Sequence, residues 1–245
     1  MARLTVLGSG DAFSGCGCNA GYLVDSAVLV DCGAPVHVMA RRLDMSTASL
    51  RLLLITHFHA DHTFMLPLVL GNRALANQAK AELVIAGPVG TREYVERLLT
   101  DGYGQAIREM LQRGARLTYA ALQDGSDVTL GGYRVRAHAV VHSTGPSLAY
   151  ALIDSDGTTI GFSGDSTMCA GLERVIAQAD LMVCECTAWD PRVAGGHLWS
   201  REVEELMRRH TETPFVVSHL SERRELPGAL VAHDLLTLDV SPRAR

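Results

Sequence analysis

Apolar residues fall into short blocks along the chain, and their spacing predicts an alternation of strands and helices. Blocks of three or four mostly apolar residues, bounded by turn-forming residues, are typical of buried strands. They are Leu4–Leu7, Tyr22–Val24, Val28–Val30, Leu52–Ile55, Leu83–Ala86, Leu181–Cys184 and Phe215–Val217. Longer segments with helical periodicity are Val36–Leu43, Phe64–Gln78, Val89–Arg113, Gly171–Ala179 and Arg201–His210. Several strands separated by glycine turns follow one another between Leu117 and Phe162. This order predicts a layered α/β fold.

Length and composition predict one domain. The chain has 245 residues, of which 47% are hydrophobic, so it can bury a sizeable core. We expect a single domain over residues 1–245, with the polar tail beyond Leu236 frayed. The formal net charge of −5 gives no basic surface for long nucleic acid. Because the sequence shows no secretory signal and no apolar run of about 18 residues, we expect a cytoplasmic protein with no membrane partner. We also expect a homodimer.

The strongest chemical signal in the chain is the hexapeptide His57-Phe58-His59-Ala60-Asp61-His62. It follows the apolar run Leu52–Ile55 and therefore lies at the exit of a predicted buried strand. Alternate side chains of an extended segment share a face, which places His57, His59 and Asp61 together, and a turn brings His62 round. Imidazole nitrogens and carboxylate oxygens suit a divalent ion such as zinc. A polar surface turn is the alternative, but the density of ligand types predicts a metal site.

Four further polar residues lie where predicted strands or loops end. His142, Asp165 and His219 each follow a strand, and His197 lies in a glycine loop before a helix. Layered α/β folds gather such groups at one edge. Each has an ordinary alternative: a satisfied polar histidine, an aspartate capping a turn, or a histidine of a surface loop. Their order behind the hexapeptide favours a functional role.

The cysteines form two close pairs with different settings. Cys16 and Cys18 lie in a glycine-rich loop, where they are either reduced thiols or ligands of a structural zinc that lacks an evident third ligand. Cys184 and Cys186 lie in an apolar strand and are expected to be buried thiols. A C-x-C spacing rarely forms a disulfide.

These features together resemble the metallo-β-lactamase fold superfamily, and within it the ribonuclease Z-like branch. The resemblance rests on H-x-H-x-D-H, a histidine ending a strand, G-D-S and a late S-H-x-S, which are here His57–His62, His142, Gly164–Ser166 and Ser218–Ser221. The opening Val6–Gly10 and the segment Leu181–Thr187 also match. The resemblance covers the chain from Gly8 to about Arg224. It implies a four-layer αββα sandwich.

The resemblance also implies a ligand set for two divalent metal ions, zinc or alternatively manganese, at one edge of the sandwich. The first ion would be held by His57, His59 and His142. The second would be held by Asp61, His62 and His219, with Asp165 bridging the two. The implied chemistry is hydrolysis by a hydroxide held between the ions. In it, Asp61 would orient or deprotonate the water, and His197 would protonate the leaving oxygen.

Some residues depart from the branch or have open roles. Cys184 stands where the branch often shows a histidine, so the surroundings of Glu185 are expected to differ. Ser221 and Arg223 either contact a substrate phosphate or belong to a solvated charged segment. His138 either supports a metal ligand or has an ordinary structural role.

The expected activity is a phosphodiesterase for a small or short substrate, such as a cyclic nucleotide, a cyclic phosphate or an RNA end. Ribonuclease Z enzymes that process tRNA carry a long inserted arm, whereas the span from His142 to Asp165 is filled by two strands and a turn. The acidic net charge also argues against tRNA 3′-end processing, which stays the second alternative. The first alternative is a lactone, ester or β-lactam hydrolase. A non-catalytic binding module is disfavoured by the complete ligand set.

Overall fold

The structure is a computed structural model that describes residues 1–76, 79, 81–193 and 195–243. Its strands are β1 (Ala2–Gly8), β2 (Gly21–Val24), β3 (Val28–Val30), β4 (Leu52–Leu54), β5 (Leu83–Pro88), β6 (Leu117–Leu122), β7 (Asp127–Leu130), β8 (Tyr133–Val140), β9 (Ser147–Ile153), β10 (Thr159–Phe162), β11 (Leu181–Glu185), β12 (Phe215–Ser218), β13 (Leu230–Val231) and β14 (Thr237–Val240). Its helices are α1 (Val36–Arg42), α2 (Ala60–Thr63), α3 (Leu66–Gly71), α4 (Thr91–Tyr103), α5 (Gln105–Ala115), α6 (Ala170–Gln178) and α7 (Ser200–Arg209).

The strands form two sheets that pack face to face. The first sheet has the order β14-β1-β2-β3-β4-β5-β6, and the second has the order β13-β12-β11-β10-β9-β8-β7. Side chains of both sheets meet in one buried cluster, where Leu4 and Leu54 of the first sheet join Val135, Tyr150 and Phe162 of the second. This cluster is the centre of the sandwich.

Helices cover the outer face of each sheet. In β4, Leu52 and Leu54 belong to the central cluster, while Leu53 belongs to a second cluster with Val69 of α3 and Val95 of α4. A strand buried on both faces explains why its sequence is continuously apolar rather than alternating. A third cluster packs α6 and α7 on the outer face of the second sheet. The layers are therefore αββα, as predicted.

Two segments differ from the sequence prediction. The tail beyond Leu236 is not frayed at its start, because β14 pairs with β1 in antiparallel register and its alternate residues Leu238 and Val240 reach the central cluster. The predicted helix Phe64–Gln78 is shorter and less regular: α2 ends at Thr63, α3 begins at Leu66 with Pro67 in its first turn, and a π-helical turn follows at Asn72–Ala76. Proline suits a first helical turn but not a helix interior, which accounts for a separate helix beginning at Leu66. The last residues of that prediction, 77 and 78, lie outside the described residues.

Five strands end at the same edge of the sandwich, and this positions the candidate site. The hexapeptide follows β4, and His142 follows β8. Asp165 follows β10, Glu185 ends β11, and His219 follows β12. The edge therefore collects polar groups from both sheets. Within the described part of the chain, no helix is long and apolar enough to cross a bilayer.

Candidate metal centre

All seven predicted ligands converge at this edge, in two groups that share one carboxylate. The first group is His57, His59, His142 and Asp165, and the second is Asp61, His62, His219 and Asp165. Within each group the ligand atoms lie within 4.8 Å of one another. Residues from four different loops are involved, so the arrangement comes from the fold and not only from the hexapeptide.

In the first group, the nitrogens of three imidazoles face one another. His59 Nδ1 lies 3.1 Å from His57 Nε2 and 3.1 Å from His142 Nε2. When two nitrogens bind the same tetrahedral zinc ion at about 2.0–2.1 Å, they are separated from each other by roughly 3.3–3.4 Å. The observed separations are close to that value. The three nitrogens can therefore hold one ion.

The second group is equally compact. His62 Nε2 and His219 Nε2 are 3.2 Å apart, and Asp61 Oδ2 lies 3.1 Å from His219 Nε2 and 3.5 Å from His62 Nε2. His219 has a positive φ of 56°, which is unusual for a residue with a Cβ. Such strain persists where the surroundings fix it, and it often marks a functional position. The backbone at His219 is thus bent to bring its ring into the group.

Asp165 lies between the two groups. Its Oδ2 atom is 3.3 Å from His62 Nε2, 3.5 Å from His219 Nε2, 3.6 Å from His57 Nε2 and 3.8 Å from His142 Nε2. The atom is buried and has no hydrogen-bond partner among the described residues. A buried carboxylate oxygen without a partner is costly unless a cation satisfies it. This position therefore fits a carboxylate shared by two metal ions.

Outer hydrogen bonds turn the ring nitrogens toward the centre. His62 Nδ1–H donates to Asp31 Oδ2 at 2.8 Å, and the Thr56 hydroxyl donates to the same oxygen at 2.8 Å. Since that hydroxyl proton is committed, His57 Nδ1–H donates to Thr56 Oγ1 at 3.0 Å. His142 Nδ1–H donates to the carbonyl of Gly196 at 3.2 Å.

His219 is fixed in the same manner. The Thr187 hydroxyl donates to Glu185 Oε2 at 2.6 Å, so His219 Nδ1–H donates to Thr187 Oγ1 at 2.7 Å. In each of these four rings the outer hydrogen bond is made by Nδ1, so Nε2 faces the centre and is the atom that would bind a metal ion in place of a proton. Histidines that bind metal ions are oriented through such bonds. The donor set therefore fits metal ions.

The charges of the site also favour cations. Burial lowers the pKa of His57, His59 and His142, which keeps these rings neutral and able to coordinate. Burial also acts against protonation of His62, but Asp165 and Asp31 raise its pKa well above the usual value. Burial would raise the pKa of Asp61, but the hydrogen bond from His219 and the charge of His62 lower it to about 2. The carboxylates of the second group thus stabilise positive charge beside them.

His197 lies next to the two groups and pairs with Glu185, a contact that the sequence did not predict. Its Nδ1 lies 3.1 Å from Glu185 Oε2 and 3.7 Å from Asp165 Oδ2. Although burial favours the neutral ring, Glu185 and Asp165 raise the pKa of His197 to about 9. His197, Glu185, Asp165 and His219 also form a third group of potential metal ligands. Among these groups, His197 has Glu185 as its nearest carboxylate partner.

Asp31 is a second residue whose role the sequence prediction missed. It is buried, and its backbone has a positive φ of 56°. Besides His62 and the Thr56 hydroxyl, it accepts the backbone N–H of Thr56 at 2.9 Å. The only sequence signal is a carboxylate directly after the apolar strand Val28–Val30, which is the same signal that pointed to Asp165.

A cleft of about 540 Å³ opens onto the centre, which is within the usual range for small-molecule sites. Its lining includes the candidate groups Asp61, Asp165 and His197 as well as Phe13 and Phe64. A larger groove of about 870 Å³ lies beside β6, but none of the candidate ligands lines it. The cleft at the metal centre is the candidate substrate site.

Other sequence candidates lie elsewhere or are engaged in the fold. Cys16 and Cys18 do not join any potential ligand group among the described residues. The Ser221 hydroxyl donates to the Thr187 carbonyl. Arg223 donates to the carbonyl of Cys16 at 2.6 Å, so it braces a loop. His138 contacts Arg174 and Gln178 of α6, not a ligand.

Comparison with known proteins gives one family and several relatives. The family model described as "Anti-Pycsar protein Apyc1" matches residues 2–222. Ribonuclease Z of Methanosarcina acetivorans is 25% identical over 312 aligned positions, which cover 99% of each chain. Ribonuclease Z of Mycobacterium bovis is 33% identical over 166 positions, which cover 64% of this chain and 59% of that enzyme. That second match therefore spans less than two thirds of the relative.

Solved structures share the fold over nearly the whole chain. The short form of human tRNase Z has a TM-score of 0.74 at 21% identity, with 98% of this chain and 100% of that chain covered. The metallo-β-lactamase fold protein YhfI of Bacillus subtilis has a TM-score of 0.76 at 19% identity, with 97% and 98% covered. A diphosphatase of the PhnP family has a TM-score of 0.76 at 18% identity, with 98% of both chains covered. The predicted metallo-β-lactamase fold is confirmed.

Proposed function

The chain belongs to the anti-Pycsar protein Apyc1 family, and we propose that it is a dinuclear metal-dependent phosphodiesterase acting on a small or short substrate. The observation that carries this proposal is the position of Asp165 Oδ2, a buried and unpartnered oxygen within 3.8 Å of four inward-facing imidazole nitrogens. Relatives named ribonuclease Z confirm the prediction of an enzyme over a binding module.

Two divalent ions, zinc or alternatively manganese, would occupy the two groups. His57, His59 and His142 would hold one ion, and Asp61, His62 and His219 the other, with Asp165 shared. When bound, such ions supply positive charge that stabilises a developing phosphoryl transition state and makes a water molecule more acidic. Nitrogen and oxygen donors without thiolates suit zinc and manganese alike. The cysteines take no part.

Asp61 would orient the attacking water and accept its proton. Its side chain is ionised, because His219 and His62 keep its pKa at about 2. It lines the cleft and lies 3.1 Å from His219, so the ring fixes the carboxylate while the cleft side stays open to water. An ionised carboxylate at this position can accept a hydrogen bond from the water, and it can take the proton because bound cations would make that water acidic.

His197 would protonate the leaving oxygen. It lines the cleft, and Glu185 holds its ring in place through Nδ1. With a pKa near 9 the ring carries a proton at neutral pH, which is the form that a general acid needs. Glu185 itself is buried, and it also accepts from Ser166 N–H and the Thr187 hydroxyl. It therefore acts as a positioning residue.

The cleft and the chain length support a small or short substrate. The alignment with the Methanosarcina enzyme spans 312 positions against 245 residues, so that relative carries insertions that this chain lacks. The segment from His142 to Asp165 is filled by β9 and β10, without room for a tRNA-binding arm. We therefore place cyclic nucleotides, cyclic phosphates and RNA ends ahead of tRNA. Processing of tRNA 3′ ends stays a second candidate because of the relatives named ribonuclease Z.

A substrate panel tests the proposal. Metal-loaded protein would be assayed with bis(p-nitrophenyl) phosphate, a nucleoside 3′,5′-cyclic monophosphate, a tRNA precursor with a 3′ trailer, a lactone and a β-lactam. We expect kcat/KM to be highest for a small phosphodiester. Turnover of the lactone or the β-lactam orders of magnitude faster than every phosphodiester would refute the proposal, and the tRNA precursor as best substrate would establish the second candidate.

A further inference from the structure

We propose that Phe13, together with Phe64, forms a stacking surface for the base of a nucleotide substrate. Phe13 is 99% exposed and Phe64 is 59% exposed, although both are large apolar side chains. Both rings line the cleft that contains His59, Asp61 and His197. This inference rests on the proposed phosphodiesterase function, and it adds a binding surface for the base of the substrate, next to the site of the phosphate.

The Phe13 loop is held rigidly even though its ring is in solvent. Asp11 Oδ1 accepts the backbone N–H groups of Phe13 at 2.9 Å and Ser14 at 2.7 Å, which forms an Asx turn. Asn19 Nδ2 donates to the Asp11 carbonyl at 2.8 Å. The exposure of Phe13 is therefore built into a hydrogen-bonded turn.

The same loop is fastened to the segment that carries His219. The Asp11 N–H donates to the Leu220 carbonyl at 3.1 Å, and Leu220 N–H donates to the Ser9 carbonyl at 2.9 Å. Arg223 spans the two segments through its bond to Cys16, and Asp234 accepts the Cys18 N–H at 2.8 Å. Because Leu220 follows His219 directly, the position of Phe13 is coupled to a candidate metal ligand. A pre-organised ring beside the reacting groups lowers the entropy cost of binding a flat ligand.

The charges of the cleft select the kind of ligand. Among the described residues that line it, none is Lys or Arg, and several are apolar: Ala12, Phe13, Ala60, Phe64 and Met65. Apart from the histidines at the metal centre and His197, the described lining has no basic side chain to bind additional phosphates. One phosphodiester at the metal centre and one uncharged planar ring on the phenylalanines fit this lining. Aromatic side chains commonly bind nucleic-acid bases by stacking.

A pair of substrates that differ only in the base tests the proposal. The first is a nucleoside 3′,5′-cyclic monophosphate, and the second is methyl ribofuranoside 3′,5′-cyclic phosphate, in which a methoxy group replaces the base. The measured quantity is the ratio of their kcat/KM values. Removal of a stacking side chain typically weakens binding of a base by about 5- to 150-fold. We expect Phe13→Ala to lower the ratio by a factor in this range, mainly through KM, and Phe13→Trp to restore it. Phe64→Ala should lower the ratio as well.

Controls separate the possible failures. Met110→Ala removes another exposed apolar side chain, on α5, and should leave the ratio unchanged. If the wild-type protein hydrolyses both cyclic phosphates equally and Phe13→Ala does not change the ratio, the stacking surface is refuted while the phosphodiesterase stands. If neither is hydrolysed, the proposed function itself fails for this substrate class. Loss of both activities together with a change of mass in light scattering would overturn the proposal, because Phe13 would then contact a second copy.

Discussion

Replacement of Glu185 by glutamine tests whether this buried carboxylate keeps His197 protonated. The charge of Glu185 is the main reason, with Asp165, that the pKa of His197 lies near 9 and not near its ordinary value of 6.5. At pH 8 an imidazole with a pKa of 9 is roughly 90% protonated, whereas one with a pKa of 6.5 is roughly 3% protonated. The acid form would fall about 30-fold, and kcat with it. Because Asp165 also contributes, about 30-fold is the upper bound at pH 8.

The deficit should depend on pH, and this separates a charge effect from a structural one. At pH 6 an imidazole with a pKa of 6.5 is roughly 76% protonated, so the same variant should be nearly as active as the wild type. The assay is kcat for a phosphodiester with a poor leaving group from pH 6 to pH 9, with metal content checked at each pH.

A buried carboxylate elsewhere gives the matched control. Asp180 is 4% exposed and accepts the backbone N–H of Thr159 at the start of β10, so Asp180→Asn should lower stability and leave the pH profile unchanged. A Glu185→Gln deficit that is constant from pH 6 to pH 9 would refute the charge argument. Glu185 would then act only through its bonds to Ser166 and Thr187.

Three further substitutions probe the neighbouring groups. His197→Ala should keep both metal ions. It should lower the rate by about 10²- to 10⁴-fold for substrates with alkoxide leaving groups, and the decrease should be smallest for p-nitrophenolate. Loss of metal from this variant would show that His197 is a ligand. Asp31→Asn should weaken metal affinity about 10- to 100-fold by isothermal titration, because Asp31 orients His62; unchanged affinity would contradict that role. Asp165→Ala should lose metal and activity together, and an active metal-loaded variant would exclude the shared ligand.

Local patterns in the sequence predicted a layered α/β fold and the gathering of the ligands at one edge, whereas the four-layer arrangement was implied by the family resemblance. The hexapeptide joins four ligand-type side chains in six residues, and His142, Asp165 and His219 follow recognisable apolar strands. Because strand ends meet at one edge of a layered fold, residues that directly follow different strands are expected to lie close together. Which ligand belongs to which ion was implied by family resemblance, and it stays a proposal.

The outer contacts could not be predicted in the same way. Asp31 and Thr56 act on His62 and His57 through hydrogen bonds between neighbouring strands, and register at this level is not visible in a single sequence. The contact of Glu185 with His197 depends on how a glycine loop folds back over β11. The start of α3 at Leu66 also differs from the predicted start at Phe64, because apolar periodicity does not mark the exact ends of a helix.

Metal stoichiometry is the most direct test of the account. Freshly purified protein that has never been exposed to a chelator would be analysed for zinc and manganese by mass spectrometry. In a second experiment, metal would be removed with a chelator and the protein titrated with zinc while phosphodiester hydrolysis is followed. We predict about two ions per chain, with activity reaching its maximum at about two equivalents and metal affinity falling as the pH is lowered, because protons compete for the histidines. Full activity with one ion per chain, or with none, would contradict the dinuclear site.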